Sequence, residues 1–198
     1  MASATTPIGI GYVGAYCRKR FGPDDVDIRI FRTLTNLRSQ LLQAPPDIVG
    51  FGSYTWNFSL TIKAAELVKA SFPECLIVMG GANVSLDSES NQRFRSEHRA
   101  IDLLVHGDGE YPFADIVGLM LQHNDDHDRI ERIKNTPLDG VRSLTGNGIV
   151  MGAPVHLVAD LDDIPSPYLT GLLDEYLADS RLMPILQSVR GCPFTCQY

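Results

Sequence analysis

The feature that most constrains the fold is a repeated alternation of a short apolar run, a loop of small residues and a helical stretch. The apolar runs cover residues 48–51, 76–79 and 101–105. Short runs that are apolar on both sides are typical of strands in a parallel sheet covered on both faces. The sequence therefore predicts an α/β fold with a Rossmann-like (flavodoxin-like), doubly wound, mainly parallel sheet and right-handed crossovers.

Helical periodicity and chain-breaking residues place the other elements. Apolar residues at helical spacing predict helices over residues 10–21, 58–72 and 113–121. A short helix is predicted over 35–44, stopped by two prolines, and the polar stretch over 87–98 is also predicted to be helical. Strict alternation over residues 26–31 predicts a further strand near a sheet edge.

The character of the chain changes after about residue 124. A polar stretch over 123–134 is followed by a predicted hairpin, with strands at 141–144 and 149–151 around Gly146-Asn147-Gly148. A linker rich in acids and prolines (160–168) leads to a predicted strand at 185–189. The predicted division is an α/β domain (1–135), a hairpin and linker (136–184) and the start of another domain (185–198).

The loops after the three apolar runs carry residues suited to ligand binding. In an open α/β sheet, ligands bind beyond the carboxyl ends of the strands. Glycines there let the backbone approach a bulky ligand. The candidate binding residues are Ser53, Tyr54, Thr55, Gly80, Gly81, Gly107, Gly109 and Glu110. Ordinary alternatives remain open: Gly80-Gly81 as a simple turn, the hydroxyls and Glu110 as helix-start groups, and Tyr54 and Trp56 as core or interface aromatics.

Two cysteines four residues apart stand near the last residue. Cys192 and Cys196 follow Arg190-Gly191. A zinc half-site is one interpretation, but zinc ligands more often stand closer together and no second pair completes such a site. Thiolates also hold iron–sulfur clusters, and the flanking residues favour that interpretation.

The order and spacing of these elements resemble B12-dependent radical S-adenosylmethionine (SAM) enzymes. Residues 190–198 are similar to the opening of the family's C-x-x-x-C-x-x-C motif, in which three thiolates hold a [4Fe–4S] cluster and SAM binds the fourth iron. Ser53-Tyr54-Thr55 and Gly80-Gly81 are similar to family elements that contact cobalamin. The stretch 107–110 looks like a Gly-Glu-Gly-Glu-type loop, and 164–167 looks like an I-P-x-P linker.

The resemblance implies an N-terminal cobalamin-binding domain, cut within the cysteine motif before a radical SAM barrel. It implies Cys192 and Cys196 as cluster ligands, the eight loop residues as cofactor contacts, and a parent methyltransferase that acts on an unactivated carbon of a small molecule or peptide. This chain alone would be inactive and would hold no stable cluster. The alternatives are a non-catalytic cobalamin-binding module and a radical SAM cyclase or rearrangement enzyme. A flavodoxin-like domain for another nucleotide is disfavoured because no G-x-G-x-x-G loop follows a strand.

The sequence departs from the family pattern in two places. The family's domain opens with a strand before its first helix, and residues 1–7 contain no credible buried strand, so we expect unpaired strand edges. The Asp-x-His-x-x-Gly element is absent from the first loop, and Asp125-Asp126-His127 is a superficial match. The resemblance therefore predicts no histidine ligand to cobalt from this domain.

Charge and hydropathy restrict the partners. A net charge of −7 gives no electrostatic reason to expect nucleic acid. No membrane partner is expected and the predicted location is cytoplasmic, because no apolar run could span a bilayer and no leader pattern is present.

Cys17 and Cys75 lie in apolar contexts and are predicted to be buried thiols. His106 is assigned a structural role.

Overall fold

The computed structural model describes residues 4–84, 87–155, 158 and 160–190. Its helices are α1 (Ile8–Phe21), α2 (Leu34–Leu41), α3 (Phe58–Ser71), α4 (Ser88–Glu97), α5 (Glu110–Gln122), α6 (Arg129–Asn135) and α7 (Asp174–Leu177), with a 3₁₀ turn at Leu161–Asp163. Its strands are β1 (Ile48–Gly52), β2 (Leu76–Gly80), β3 (Leu103–Val105), β4 (Val141–Thr145) and β5 (Gly148–Met151).

The five strands form one sheet in the order β1-β2-β3-β4-β5. The pairs β1–β2 and β2–β3 are parallel, and Gly52 is level with Gly80. The predicted hairpin is confirmed, and it extends the same sheet because β4 pairs antiparallel with β3. The three parallel strands therefore end at one common edge.

Apolar side chains on both faces of the strands make two core clusters. One contains Val49, Ile77 and Leu104 together with apolar residues of α3. The other contains Leu76 and Leu103 with residues of α5 and α6. Helices on both faces of the parallel strands confirm the predicted doubly wound α/β fold. The predicted burial of Cys17 and Cys75 is also confirmed, since both are 0% exposed.

The strand predicted over residues 26–31 is wrong. This segment has no ladder partner, and β1 pairs only with β2 among the described residues. Instead, the side chains of Ile28 and Ile30 approach Gly14 of α1, and the Ile30 carbonyl accepts a hydrogen bond from the Tyr176 hydroxyl at 2.6 Å. The alternation therefore indicates a segment with one half-buried face, but no described strand lies beside it to form a ladder.

The strand predicted over residues 185–189 is also wrong for this chain. These residues carry no strand assignment, and Leu186 and Val189 are 82% and 73% exposed. The segment is anchored at its start by the Ile185 N–H, which donates to the Tyr168 hydroxyl at 3.2 Å. An apolar run needs a partner strand to become β structure, and the described residues provide none here.

Candidate functional site at the carboxyl edge of the sheet

The first two predicted loops meet directly at the carboxyl edge. Ser53 lies immediately after β1, and its N–H donates to the Gly80 carbonyl at 2.7 Å. Its own carbonyl accepts from the Asn83 N–H at 3.2 Å. The serine loop and the glycine pair, separated by 27 positions in the sequence, therefore form one hydrogen-bonded unit.

Gly81 makes this contact possible because it has no side chain. Its φ is +102°, a conformation that residues other than glycine rarely adopt. A Cβ on Gly81 would lie 2.6 Å from the Ser53 carbonyl oxygen and 3.0 Å from the Ser53 nitrogen. The close approach of the two loops thus requires glycine at this position.

The Ser53 hydroxyl is buried without a hydrogen-bond partner among the described residues. Ser53 is 0% exposed, and its Oγ is one of the few buried side-chain oxygens or nitrogens left unpaired there. Burying an unpaired hydroxyl costs on the order of 1–3 kcal/mol, so natural proteins usually satisfy such groups. A ligand that bonds to this oxygen would remove the cost.

Two aromatic rings stand over the first loop. Tyr54 and Trp56 stack with centroids 4.7 Å apart and an interplanar angle of 4°. Trp56 is 72% exposed, which excludes the core interpretation for its ring. Asn57 fixes the loop, because its side chain accepts from the Tyr54 N–H at 2.7 Å and donates to the Gly52 carbonyl at 2.9 Å. The stacked pair offers a flat surface, with the Tyr54 ring close to Gly52, and Thr55, which lies between the two aromatic residues in the sequence, is exposed.

The third loop brings a buried histidine to the same edge. His106 is 5% exposed, and neither ring nitrogen has a partner in the described part of the chain. Burial, with a smaller contribution from the positive charge of Arg142, lowers the pKa of His106 to about 4, so the ring is neutral at pH 7. Gly107 follows with a φ of +66°, and Gly109 leads into α5. His106 comes two residues after Leu104, and Ser53 comes two residues after Phe51. Leu104 and Phe51 belong to the same core cluster, and residues two apart on a strand point to the same face of the sheet.

Glu110 is engaged by the arginine that precedes the cysteines. The guanidinium of Arg190 donates to both carboxylate oxygens of Glu110, at 2.5 and 2.9 Å. The Glu110 carboxylate is therefore committed to an ion pair at the start of α5. The sequence assigned it as a cofactor contact, and that assignment stays a prediction.

Sequence reasoning did not select Trp56, Asn57, His106 or Arg190 as site residues. The signal for Asn57 was its position directly before α3, where a side chain can bond to loop backbone. His106 was marked only by its place at the end of a strand.

Cys192 and Cys196 lie outside the described residues. Among the described residues, no three His, Cys, Asp or Glu side chains converge as a metal site would require, and no helix there is long and apolar enough to cross a bilayer.

These features define a class of protein. The chain matches the B12 binding domain family over residues 1–117, a range that includes the three loops and most of α5. It belongs to that family. The place where its parallel strands end is the place where such open α/β sheets bind their ligands.

Individual relatives narrow the class further. The chain is 33% identical over 158 residues to the cobalamin-dependent radical SAM methyltransferase TokK of Streptomyces tokunonensis, an alignment that covers 77% of this chain and 22% of TokK. It is 32% identical, over the same shares, to a 2-(S-pantetheinyl)-carbapenam-3-carboxylate methyltransferase of Streptantibioticus cattleyicolor. The chain thus spans about a fifth of the length of these relatives.

A solved structure supports the fold. The cobalamin-dependent SAM radical enzyme OxsB, determined with aqua-cobalamin and SAM bound, superposes with a TM-score of 0.62 at 19% identity. The match covers 93% of this chain and 24% of OxsB. At that level of identity the likeness concerns the fold.

Proposed function

We propose that this chain binds cobalamin at the carboxyl edge of its sheet and forms the cobalamin-binding part of a radical SAM methyltransferase. The observation that carries the proposal is the unit of Ser53, Gly80 and Gly81. There the Ser53 hydroxyl is buried without a partner among the described residues, the Ser53 backbone is bonded to Gly80, and Gly81, which lies in close contact with Ser53, is exposed. Family membership makes cobalamin the ligand of choice.

The residues present fit this cofactor. Ser53 Oγ would accept from or donate to the cofactor the hydrogen bond that no described residue supplies. Gly80 and Gly81 would allow the backbone to approach a bulky group, and the exposed ring of Trp56 would pack against a flat one. Bound cobalamin supplies a cobalt centre that can carry and transfer a methyl group.

Cys192 and Cys196 extend the proposal to the second cofactor. Their spacing and the preceding Arg190-Gly191 favour a [4Fe–4S] cluster that binds SAM, with a third thiolate required beyond the pair. Cys17 and Cys75 are unsuited to serve as that ligand. Both are fully buried, and burial raises the pKa of each thiol to about 12, so neither is a thiolate at neutral pH.

Cobalamin binding is tested by titrating hydroxocobalamin into the purified chain and following the visible corrin absorbance. We expect saturable binding and co-elution of the corrin with the protein in gel filtration. Ser53→Ala should weaken binding by about three- to tenfold, since one hydrogen bond contributes roughly 1 kcal/mol. No corrin co-eluting with micromolar protein would overturn the proposal.

Stability measurements separate a binding role of Ser53 from a structural one. Because the hydroxyl has no hydrogen-bond partner among the described residues, Ser53→Ala should leave the free energy of unfolding unchanged or raise it. Ser59→Ala, on the exposed surface of α3, is the matched control and should alter neither quantity. A variant at Ser53 that loses stability and affinity together would point to a structural role instead.

A further inference from the structure

Arg190, the residue before Gly191-Cys192, is held by the domain that precedes it. Its guanidinium makes a two-pronged ion pair with Glu110, at the first turn of α5. Asp108 lies 3.5 Å from the same guanidinium, and the ring of Tyr12 on α1 faces it at 5.3 Å. Two segments distant in sequence, α1 and the 108–110 stretch at the start of α5, thus surround one side chain.

The burial of this cluster distinguishes it from a surface ion pair. The side chain of Arg190 is 13% exposed and that of Glu110 is 4% exposed. Exposed pairs contribute little to stability, whereas removing one partner of a buried pair leaves an uncompensated charge. Arginine also suits this geometry better than lysine, because its planar fork matches both oxygens of a carboxylate.

Few other contacts hold the segment that carries Arg190. Residues 184–190 form no helix or strand, and most of their side chains are exposed. Ile185 at one end and Arg190 at the other make hydrogen bonds, whereas no side chain of residues 186–189 has a hydrogen bond to another described residue. The path of this stretch therefore depends on the two anchors.

We infer that Arg190 is a positioning residue, which Glu110 and Asp108 hold at the carboxyl edge of the sheet so that the cysteine segment begins at a fixed place beside the cobalamin site. Covalent geometry makes the consequence direct. Cys192 follows Arg190 by two positions, so holding Arg190 fixes the point from which the chain continues into the cysteine segment. This inference rests on the proposed function in one respect only, the identity of the cofactor at the edge.

The first test measures position by energy transfer. Trp56 is the only tryptophan and stands at the carboxyl edge, so it can act as donor to an aminonaphthalene dye on Cys192 in a Cys196→Ser background. Cys17 and Cys75 are buried and should stay unlabelled. We expect a narrow distribution of donor lifetimes in the parent, and a broader one with lower transfer efficiency in Glu110→Gln. An unchanged distribution would overturn the inference.

The second test uses trypsin, which must take the arginine side chain into its specificity pocket to cleave after it. Cleavage of the Arg190–Gly191 bond should be slow in the parent and at least about tenfold faster in Glu110→Gln, because the lost hydrogen bonds are charge-assisted. Glu110→Asp keeps the charge and should restore part of the protection. Cleavage after Arg181, whose side chain is 85% exposed, is the internal reference.

The ratio of the two cleavage rates keeps the test valid if a variant is unstable, since global unfolding accelerates both sites. Asp115→Asn is the matched control. It removes a carboxylate from the same helix, one that pairs with Arg20, and should leave the ratio unchanged. If Glu110→Gln does not raise the ratio of cleavage after Arg190 to cleavage after Arg181, the inference that Glu110 holds Arg190 is overturned.

Corrin absorbance is recorded for every variant, which separates this inference from the proposed function. If the chain binds cobalamin but Glu110→Gln changes neither the energy transfer nor the cleavage ratio, only the positioning role of Arg190 is refuted. A chain that protects Arg190 but binds no cobalamin refutes the proposed function alone.

Discussion

The contact between Gly81 and Ser53 yields the sharpest prediction. Gly81→Ala must carry a Cβ at a φ of +102°, and that Cβ would stand 2.6 Å from the Ser53 carbonyl oxygen. The backbone conformation costs about 1–3 kcal/mol for a residue other than glycine. Relieving the overlap requires a backbone shift, which costs about 1–3 kcal/mol more. The total of about 2–6 kcal/mol is a large part of the stability of an ordinary domain.

Gly22 provides the matched control. It lies after α1 with a φ of +84°, and a Cβ built there meets no atom within 4 Å. Gly22→Ala therefore has the conformational cost without the overlap, and the effect of alanine on the unfolded chain is the same in both variants. Urea unfolding followed by far-UV circular dichroism gives both free energies.

We expect Gly81→Ala to lose at least about 1 kcal/mol more than Gly22→Ala. It should also bind cobalamin more weakly at a temperature where both variants are folded. Equal losses within about 0.5 kcal/mol, with equal cobalamin affinity, would refute the reasoning that the two loops are held in close contact through this glycine.

Two further predictions concern buried titratable and charged groups. The pKa of His106 is about 4 in the folded protein and ordinarily 6.5, so the unfolded chain takes up the proton first and stability should fall as the pH drops from about 6.5 to 4. In urea unfolding at pH 7 and 4.5, His106→Gln should remove up to about 3 kcal/mol of this dependence of stability on pH. The matched variant His127→Gln, at an exposed position, should leave the dependence unchanged. An unchanged pH dependence in His106→Gln would contradict the assignment of His106 as a buried neutral histidine. Asp102 is 3% exposed and accepts from Lys69 Nζ at 2.7 Å and from the Ile77 N–H at 2.9 Å, so Asp102→Asn should cost about 3 kcal/mol. Asp47→Asn, which breaks a pair with Arg129 in which the Asp47 side chain is 64% exposed, should cost under about 1 kcal/mol. Similar losses for the two variants would show that burial of Asp102 is unimportant.

The sequence was sufficient where local pattern and burial agree. The runs at 48–51 and 76–79 became β1 and β2 almost residue for residue, because four apolar residues bounded by loop formers are too few for a helix and fit a strand in a covered sheet. The hairpin at Gly146-Asn147-Gly148 was equally clear, since its turn residues specify the connection.

Sequence pattern failed where an apolar run lacked a partner. Residues 26–31 and 185–189 alternate or cluster like strands, yet neither forms a ladder among the described residues. A strand is completed by hydrogen bonds to a neighbour, and the pattern of one segment carries no information on whether that neighbour is present.

The sequence by itself determined the α/β class, the three loops at the strand ends and the cysteine pair, because each follows from the local order of residue types. Tertiary structure decided which of those residues meet. Only the fold joins Ser53 to Gly80 and Gly81, leaves the Ser53 hydroxyl without a partner in the described part of the chain, and brings Arg190 across 80 positions to Glu110. Contacts between segments so distant in the chain depend on how the sheet and helices pack, and packing is a property of the whole domain.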